Sequence, residues 1–330
     1  MHTRPLGPFT VSAIGLGCMN ISAGYGPADD DASRQLLAAA LDHGYTFFDT
    51  ASMYGMGHSE SLIGESIGHR RDEFVLASKA GIAKNADGKR VIDGRPEVIR
   101  ATCEESLKRL RTDVIDLYYL HRVDPKVPIE ESVGALADLV GDGKIRTIGL
   151  SECSTATLRR AHAVHPVTAV QSEYSLWTRT PERGMLDACR ELGVAFCPLR
   201  AAGAGLLTGK ARDVTHLTTD DVRQTNARPR FEPDNFARNE RLLEPYAAIA
   251  ERVGCSMAQL ALAWVLARGE HVVPIPGTKH MEYMIENAGA ADIKLERDVV
   301  DELDRLINES TVAGRRYTDA LMASIDSERD

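Results

Sequence analysis

Eight short apolar runs, each followed by a segment of helical spacing, constrain this chain more than any other feature. The runs are "SAIGLG", "YTFFD", "EFVLASK", "VIDLYYLH", "IRTIGLSE", "VTAVQSEY", "VAFCPL" and "HVVPIPGTK". Between them, "DDASRQLLAAALDHG", "RPEVIRATCEESLKRLR", "PIEESVGALADLVGDGK" and "STATLRRAHAVHP" repeat apolar residues every three or four positions, the period of an amphipathic helix. Asp30, Ser154 and Ser256 are candidate helix starts, and Gly44, Gly141 and Gly193 candidate ends. Strands alternating with helices predict a parallel sheet. Eight such pairs in 330 residues fit a closed (β/α)8 TIM barrel, a single domain over 1–330, better than a doubly wound sheet. A doubly wound sheet calls for an early GxGxxG opening a helix, whereas "IGLGCMN" holds only GxG. "RPLGPFTVS" predicts a hairpin plugging the barrel floor, and "LERDVVDELDRLIN" an extra C-terminal helix. The polar, proline-containing stretch from Gly209 to Asn235 breaks the rhythm and is expected as a loop over the barrel mouth.

Composition narrows the function classes. The net charge of −9 gives no general basic field for nucleic acid or an anionic membrane. No window holds some eighteen consecutive apolar residues, and the first residues lack the order of a secretory signal, so the expected location is cytoplasmic. The six cysteines contain no CxxC pair, which fits reduced packing thiols and neither a disulfide frame nor a zinc site.

In a parallel barrel the C-terminal strand ends converge on the mouth where catalysis occurs. Here the apolar runs end on Asp49, Lys79, His121, Ser151 with Glu152, and Gln171 through Tyr174, and Tyr54 lies five residues past Asp49. Singly, each has an ordinary structural use: an Asp caps a turn, a Lys snorkels, a Tyr packs. Together they suit proton delivery to a developing alkoxide. An ammonium beside a phenol stabilises the phenolate, a carboxylate fixes the ammonium, and an imidazole N–H orients a carbonyl oxygen.

"DTASMYG", "ASK" and "YYLH", with "IGLGCMN", "GKIRTIGLSE", "AVQSEYSLWTR", "LTGK" and "PIPGTK", resemble the aldo-keto reductases from about Leu6 to Asn308. "HAVHPVTAVQSEYSLWTR" is most similar to the branch with perakine reductase and YakC-like enzymes. The resemblance implies a metal-free barrel that reduces aldehydes and ketones by direct hydride transfer from NADPH. Asp49, Tyr54, Lys79 and His121 are then the catalytic tetrad, with Tyr54 the proton donor. It also implies Ser151, Gln171 and Glu152 at the nicotinamide carboxamide, and Tyr174 stacked on the ring. The loop after Leu199, with Leu206, Thr208 and Lys210, should follow the pyrophosphate. Gly277, Thr278 and Lys279 are expected at the 2'-phosphate, favouring NADPH while permitting some use of NADH, and Glu286 and Asn287 at adenine.

Two departures stand out. "PLRAAGAGLLTG" is about three residues longer than the branch's usual loop and carries Ala204 where arginine is common, with Arg200 a candidate replacement cation. His280 replaces a common arginine. Tyr25, Met53 and Trp177 are expected to line the pocket of a small carbonyl substrate, with Met19 read as core. Two other readings compete, and the second leaves Tyr54, His121 and the cofactor loop without a necessary place. One is a nucleotide-binding redox partner like a potassium channel β-subunit, and the other is an aldolase with a Schiff base on Lys79.

Overall fold

The computed structural model describes all residues except 23, 85–89, 212–213, 220, 324 and 330. Its first element is the predicted hairpin of β1 (Thr3–Leu6) and β2 (Phe9–Ser12). Gly7 turns that hairpin at φ 58°, and a Cβ there would stand 2.4 Å from Thr168, so the turn needs glycine twice over. Next come β3 (Leu16–Gly17), β4 (Phe47–Asp49) and β5 (Val75–Ala80). A side hairpin of β6 (Ile82–Lys84) and β7 (Arg90–Ile92) interrupts the series, and β8 (Ile115–Leu120), β9 (Ile145–Ser151), β10 (Val167–Glu173) and β11 (Ala195–Leu199) complete it. Apart from the two hairpins, these strands form one sheet ordered β3-β4-β5-β8-β9-β10-β11, parallel throughout.

The eighth run, expected as a strand, closes the barrel without becoming a regular one. Its carbonyls at Pro274 and Pro276 accept from Gly15 and Gly17, while Val273 and Ile275 donate to Phe196 and Pro198 of β11. Residues 274 and 276 would also direct their N–H groups at β3, and proline has none to give, so that ladder is half-made. Isolated parallel bridges, Gly17 to Gly277 and Phe196 to Val272, mark the seam.

Helices α1 (Asp30–Asp42), α2 (His58–Ser66), α3 (Pro96–Leu110), α4 (Ile129–Gly141), α5 (Thr155–Val164) and α6 (Met185–Leu192) follow successive strands. Ser154 and Ser256 cap helices as expected, the latter in a reciprocal box with Gln259. The cap of α1 is Asp29 rather than Asp30, and α4 runs through Gly141 because Gly143, at φ 71°, makes the left-handed turn. After β11 come α7 (Arg228–Phe231), α8 (Pro233–Glu240), α9 (Leu243–Val253), α10 (Met257–Leu266), α11 (Met281–Gly289) and the expected extra helix α12 (Arg297–Leu306). The chain then returns to the barrel with α13 (Asp319–Met322). Among the described residues no single helix is long and apolar enough to cross a membrane.

Period two along the strands divides the apolar residues into two cores. Phe47, Ala77, Leu117, Tyr119, Ala169, Ala195, Cys197, Val273 and Ile275 fill the barrel interior, where Leu6 and Val11 of the hairpin plug its floor. Phe48, Leu76, Tyr118, Val170 and Phe196, one position out of phase, face the helices. Gly149 permits the interior packing, since a Cβ there would lie 2.3 Å from the Tyr119 ring.

Candidate active site

The strand parity that fills the interior also selects the groups at its mouth. Asp49 follows Phe47 by two, Lys79 follows Ala77, His121 follows Tyr119, and Gln171 follows Ala169. Apolar side chains occupy each lower layer, so the polar ones emerge where the barrel opens. Asp49, Lys79 and His121 are nonetheless buried, and Tyr54 is half-buried on a short turn (Tyr54–Gly57) beyond β4. Gly55 and Met56 hold that turn in left-handed backbone.

Lys79 Nζ is the hub. It donates to Asp49 Oδ1 at 2.5 Å and to the Thr50 carbonyl at 2.7 Å, and lies 3.4 Å from the Tyr54 hydroxyl. Gln171 Nε2 donates to the other Asp49 oxygen at 2.8 Å, a positioning contact that sequence reading did not foresee. Tyr54 and His121 meet edge to face, ring centroids 5.8 Å apart. Burial raises the Asp49 carboxyl above its ordinary range against the pull of Lys79. Burial also works against the Lys79 ammonium, but Asp49 and Tyr54 outweigh it and hold Lys79 above the usual lysine value. Burial, then the charges of Arg122, Lys79 and Arg90, keep His121 well below the ordinary histidine value, so its imidazole is neutral. Burial pushes the Cys197 thiol up to about 12 and Cys18 higher still, which suits packing.

A cavity of about 420 Å³ runs from this cluster along the mouth. Asp49, Tyr54, His121, Gln171, Leu199 and Tyr25 line its inner part, and Thr208, Lys210, Gly277, Thr278, Lys279, Glu286 and Asn287 border it. Met19 lines it as well, against the expectation that it packs in the core. The chain after Gly209 contributes Lys210, Val222, Arg223 and Asn226 to the same wall, as expected of a loop over the mouth.

Several expected positions lie elsewhere. Glu152, in left-handed backbone at φ 54°, points away from the cavity to Arg316 at 2.7 and 3.1 Å, to Ser327 at 2.7 Å and to the Glu173 N–H at 2.9 Å. Arg316 and its other partners hold that carboxyl at about 2 even though burial opposes ionisation. Tyr174 is also outward in phase: its ring packs near Phe196 and Trp264, centroids 5.9 and 5.3 Å away, and its hydroxyl donates to Glu182. The Leu206 side chain is in the outer core. Trp177 stacks on Phe231 at 5.7 Å, and Met53 lies at the start of the Tyr54 turn; neither borders the cavity. Ser151 sits just behind the wall, its hydroxyl accepting from Arg122 at 3.2 Å. Arg200, the candidate replacement cation, is paired with Glu173 at 3.1 Å. Strand parity alone could have flagged Glu152 and Tyr174.

The donor set fits a dinucleotide phosphate. Lys279 Nζ is held by the carbonyls of Tyr25 and Pro27 at 2.9 and 2.6 Å and has no carboxylate partner among the described residues. Lys210 lies 2.8 Å from Glu286 and 3.7 Å from the Tyr283 ring centroid. Glycines at the seam keep the floor low, since a Cβ on Gly277 would stand 2.6 Å from Asn20. No group of three or more His, Cys, Asp or Glu among the described residues is arranged to hold a metal ion.

The arginines Arg90 and Arg122 and the tail residues Tyr317 and Leu321 also line the cavity and were not anticipated. Arg90 stands on the side hairpin, whose sequence signal is the pair of short β-prone segments "GIAK" and "RVI". Tyr317 gives no such signal.

A parallel barrel thus carries a buried carboxylate–ammonium pair, a tyrosine and a neutral histidine at its C-terminal mouth, a set of groups able to exchange a proton with a bound oxygen. Residues 13–308 match the Aldo/keto reductase family, and the chain belongs to it. It is 43% identical over 321 residues to the aldo-keto reductase yakc [NADP(+)] of Schizosaccharomyces pombe, covering 96% of this chain and 94% of that one. Its structure is similar to glycerol dehydrogenase AKR11B4 of Gluconobacter oxydans, with TM-score 0.82 and 29% identity over 98% of this chain and 96% of that one. It also resembles a Klebsiella pneumoniae aldo-keto reductase in complex with NADPH, with TM-score 0.73 and 29% identity over 96% and 98% of the two chains.

Proposed function

We propose that this protein reduces aldehydes and ketones to alcohols with NADPH, Tyr54 delivering the proton. The observation that carries this reading is the contact of one ammonium, Lys79, with both the Asp49 carboxylate and the Tyr54 hydroxyl. When bound, the nicotinamide supplies a hydride to the carbonyl carbon. The protein's own groups handle the oxygen. Tyr54 gives its proton to the oxygen as negative charge develops there, and the Lys79 ammonium stabilises the phenolate that remains. Asp49 and Gln171 keep Lys79 from swinging toward solvent. His121, being neutral, can donate an N–H bond to the carbonyl oxygen without adding a proton of its own. Lys279, without a carboxylate partner among the described residues, supports the 2'-phosphate form of the cofactor, with NADH a weaker alternative.

The test is turnover of p-nitrobenzaldehyde, followed by loss of NADPH absorbance. Tyr54→Phe should cut kcat by roughly 100-fold or more. Its NADPH affinity, titrated by fluorescence, should stay within a few fold. Near-wild-type turnover in that variant excludes Tyr54 as the acid.

A further inference from the structure

Among the described residues, four arginines face the cavity: Arg90, Arg122, Arg200 and Arg223. Two are neutralised, Arg200 by Glu173 at 3.1 Å and Arg223 by Asp221 at 2.7 Å. For Arg90 and Arg122 no carboxylate lies within ion-pair distance among the described residues. Both border the catalytic end of the cavity with Tyr54, His121 and Tyr317.

Arg122 directly follows His121. Its Nη1 donates to the His121 carbonyl at 2.6 Å and to Ser151 Oγ at 3.2 Å, which fixes the guanidinium, while its Nε is buried without an acceptor. Arg90 comes from β7 of the side hairpin and is close enough to Arg122 for the two charges to oppose each other. Glu152, behind the wall, attracts Arg122 from a distance but is bonded to Arg316, and the carboxylates that line the cavity among the described residues are engaged elsewhere. Asp49 is committed to Lys79 and Gln171, and Glu286 to Lys210. Arg90 is exposed at the rim and Arg122 half-buried beside it, so their like charges repel and an anion entering between them relieves both. A planar carboxylate suits that place, because guanidinium forks bind it through paired charge-assisted hydrogen bonds. The cofactor's phosphates have Lys210, Lys279 and Thr278 elsewhere in the cavity.

We propose that the preferred substrates are carbonyl compounds that also carry a carboxylate, held by Arg90 and Arg122 while the carbonyl lies at Tyr54 and His121. This rests on the reductase reading of the same site.

The experiment compares kcat/KM for 4-carboxybenzaldehyde and its methyl ester, with NADPH, in the wild type, Arg90→Met, Arg90→Lys and Arg122→Met. The ratio within each enzyme is the readout, so differences in active fraction cancel. The acid should be preferred by roughly tenfold or more in the wild type. The ratio should fall toward one in the methionine variants, and Arg90→Lys should keep part of it. An ester reduced as well as the acid by the wild type overturns the proposal but leaves the reductase reading standing. A preference that survives both methionine variants also overturns it. If neither compound is reduced while NADPH binds, the reductase reading itself fails.

Discussion

Replacing Arg316 by methionine should loosen the end of the chain from the barrel. Arg316 is buried and bonds both oxygens of Glu152, which has no exposed surface. Its Nε also reaches Glu328 at 2.5 Å. A carboxyl held at about 2 instead of an ordinary 4.5 corresponds to about 3 kcal/mol favouring the folded state. Losing one partner of a buried ion pair costs a similar amount, about 3–5 kcal/mol, because the remaining charge has no counter-ion. The folded value is depressed, so this contribution is present above about pH 4.5 and is lost as pH falls toward about 2. Unfolding entropy for 330 residues is about 0.7 kcal/mol/K, so Tm should fall by about 4 °C if the loss is borne globally. The cheaper escape is local, with the tail around Arg316 detaching to let water reach Glu152. Calorimetry and amide hydrogen exchange over that segment distinguish the two. The double variant with Glu152→Gln should recover part of the loss, since no bare carboxylate then remains. Arg316→Met with Tm and tail protection both at wild-type values would refute the reasoning.

Two further outcomes follow from the site. His121 is neutral in the fold with its value well below 6.5, so below pH 6.5 the unfolded chain binds a proton that the folded one does not, and stability falls with pH. Denaturant titrations at pH 7.5 and 5.5 should show His121→Gln losing about 1.4 kcal/mol less than wild type over that interval; parallel losses would contradict the assignment. Lys279→Ala should weaken NADPH binding by roughly tenfold while leaving NADH nearly unchanged, since only the former carries the 2'-phosphate. Equal weakening of both cofactors in the same titration would place Lys279 elsewhere.

The strand ends were legible because period two is local. Once "YTFFD", "EFVLASK" and "VIDLYYLH" are strands, Asp49, Lys79 and His121 must each leave the same layer. The same rule sends Glu152 and Tyr174 outward, and the family resemblance obscured it by assigning both to the cofactor. The prolines of the eighth run likewise foretold a weak seam, with carbonyls but no N–H groups offered to β3 at 274 and 276.

The sequence by itself determined the alternation of elements, the plugged barrel and the identity of the groups at its mouth, since propensity, phase and polarity act over a few residues. Tertiary structure decided the partnerships. Gln171 reaches Asp49 across 122 positions and Arg316 reaches Glu152 across 164, distances that only barrel closure and the return of the tail can bridge. It also decided which arginines of the cavity are neutralised, because the charge of a guanidinium is read from sequence but the presence of a carboxylate beside it is not. Arg90 and Arg122 line the same cavity with no carboxylate within ion-pair distance among the described residues.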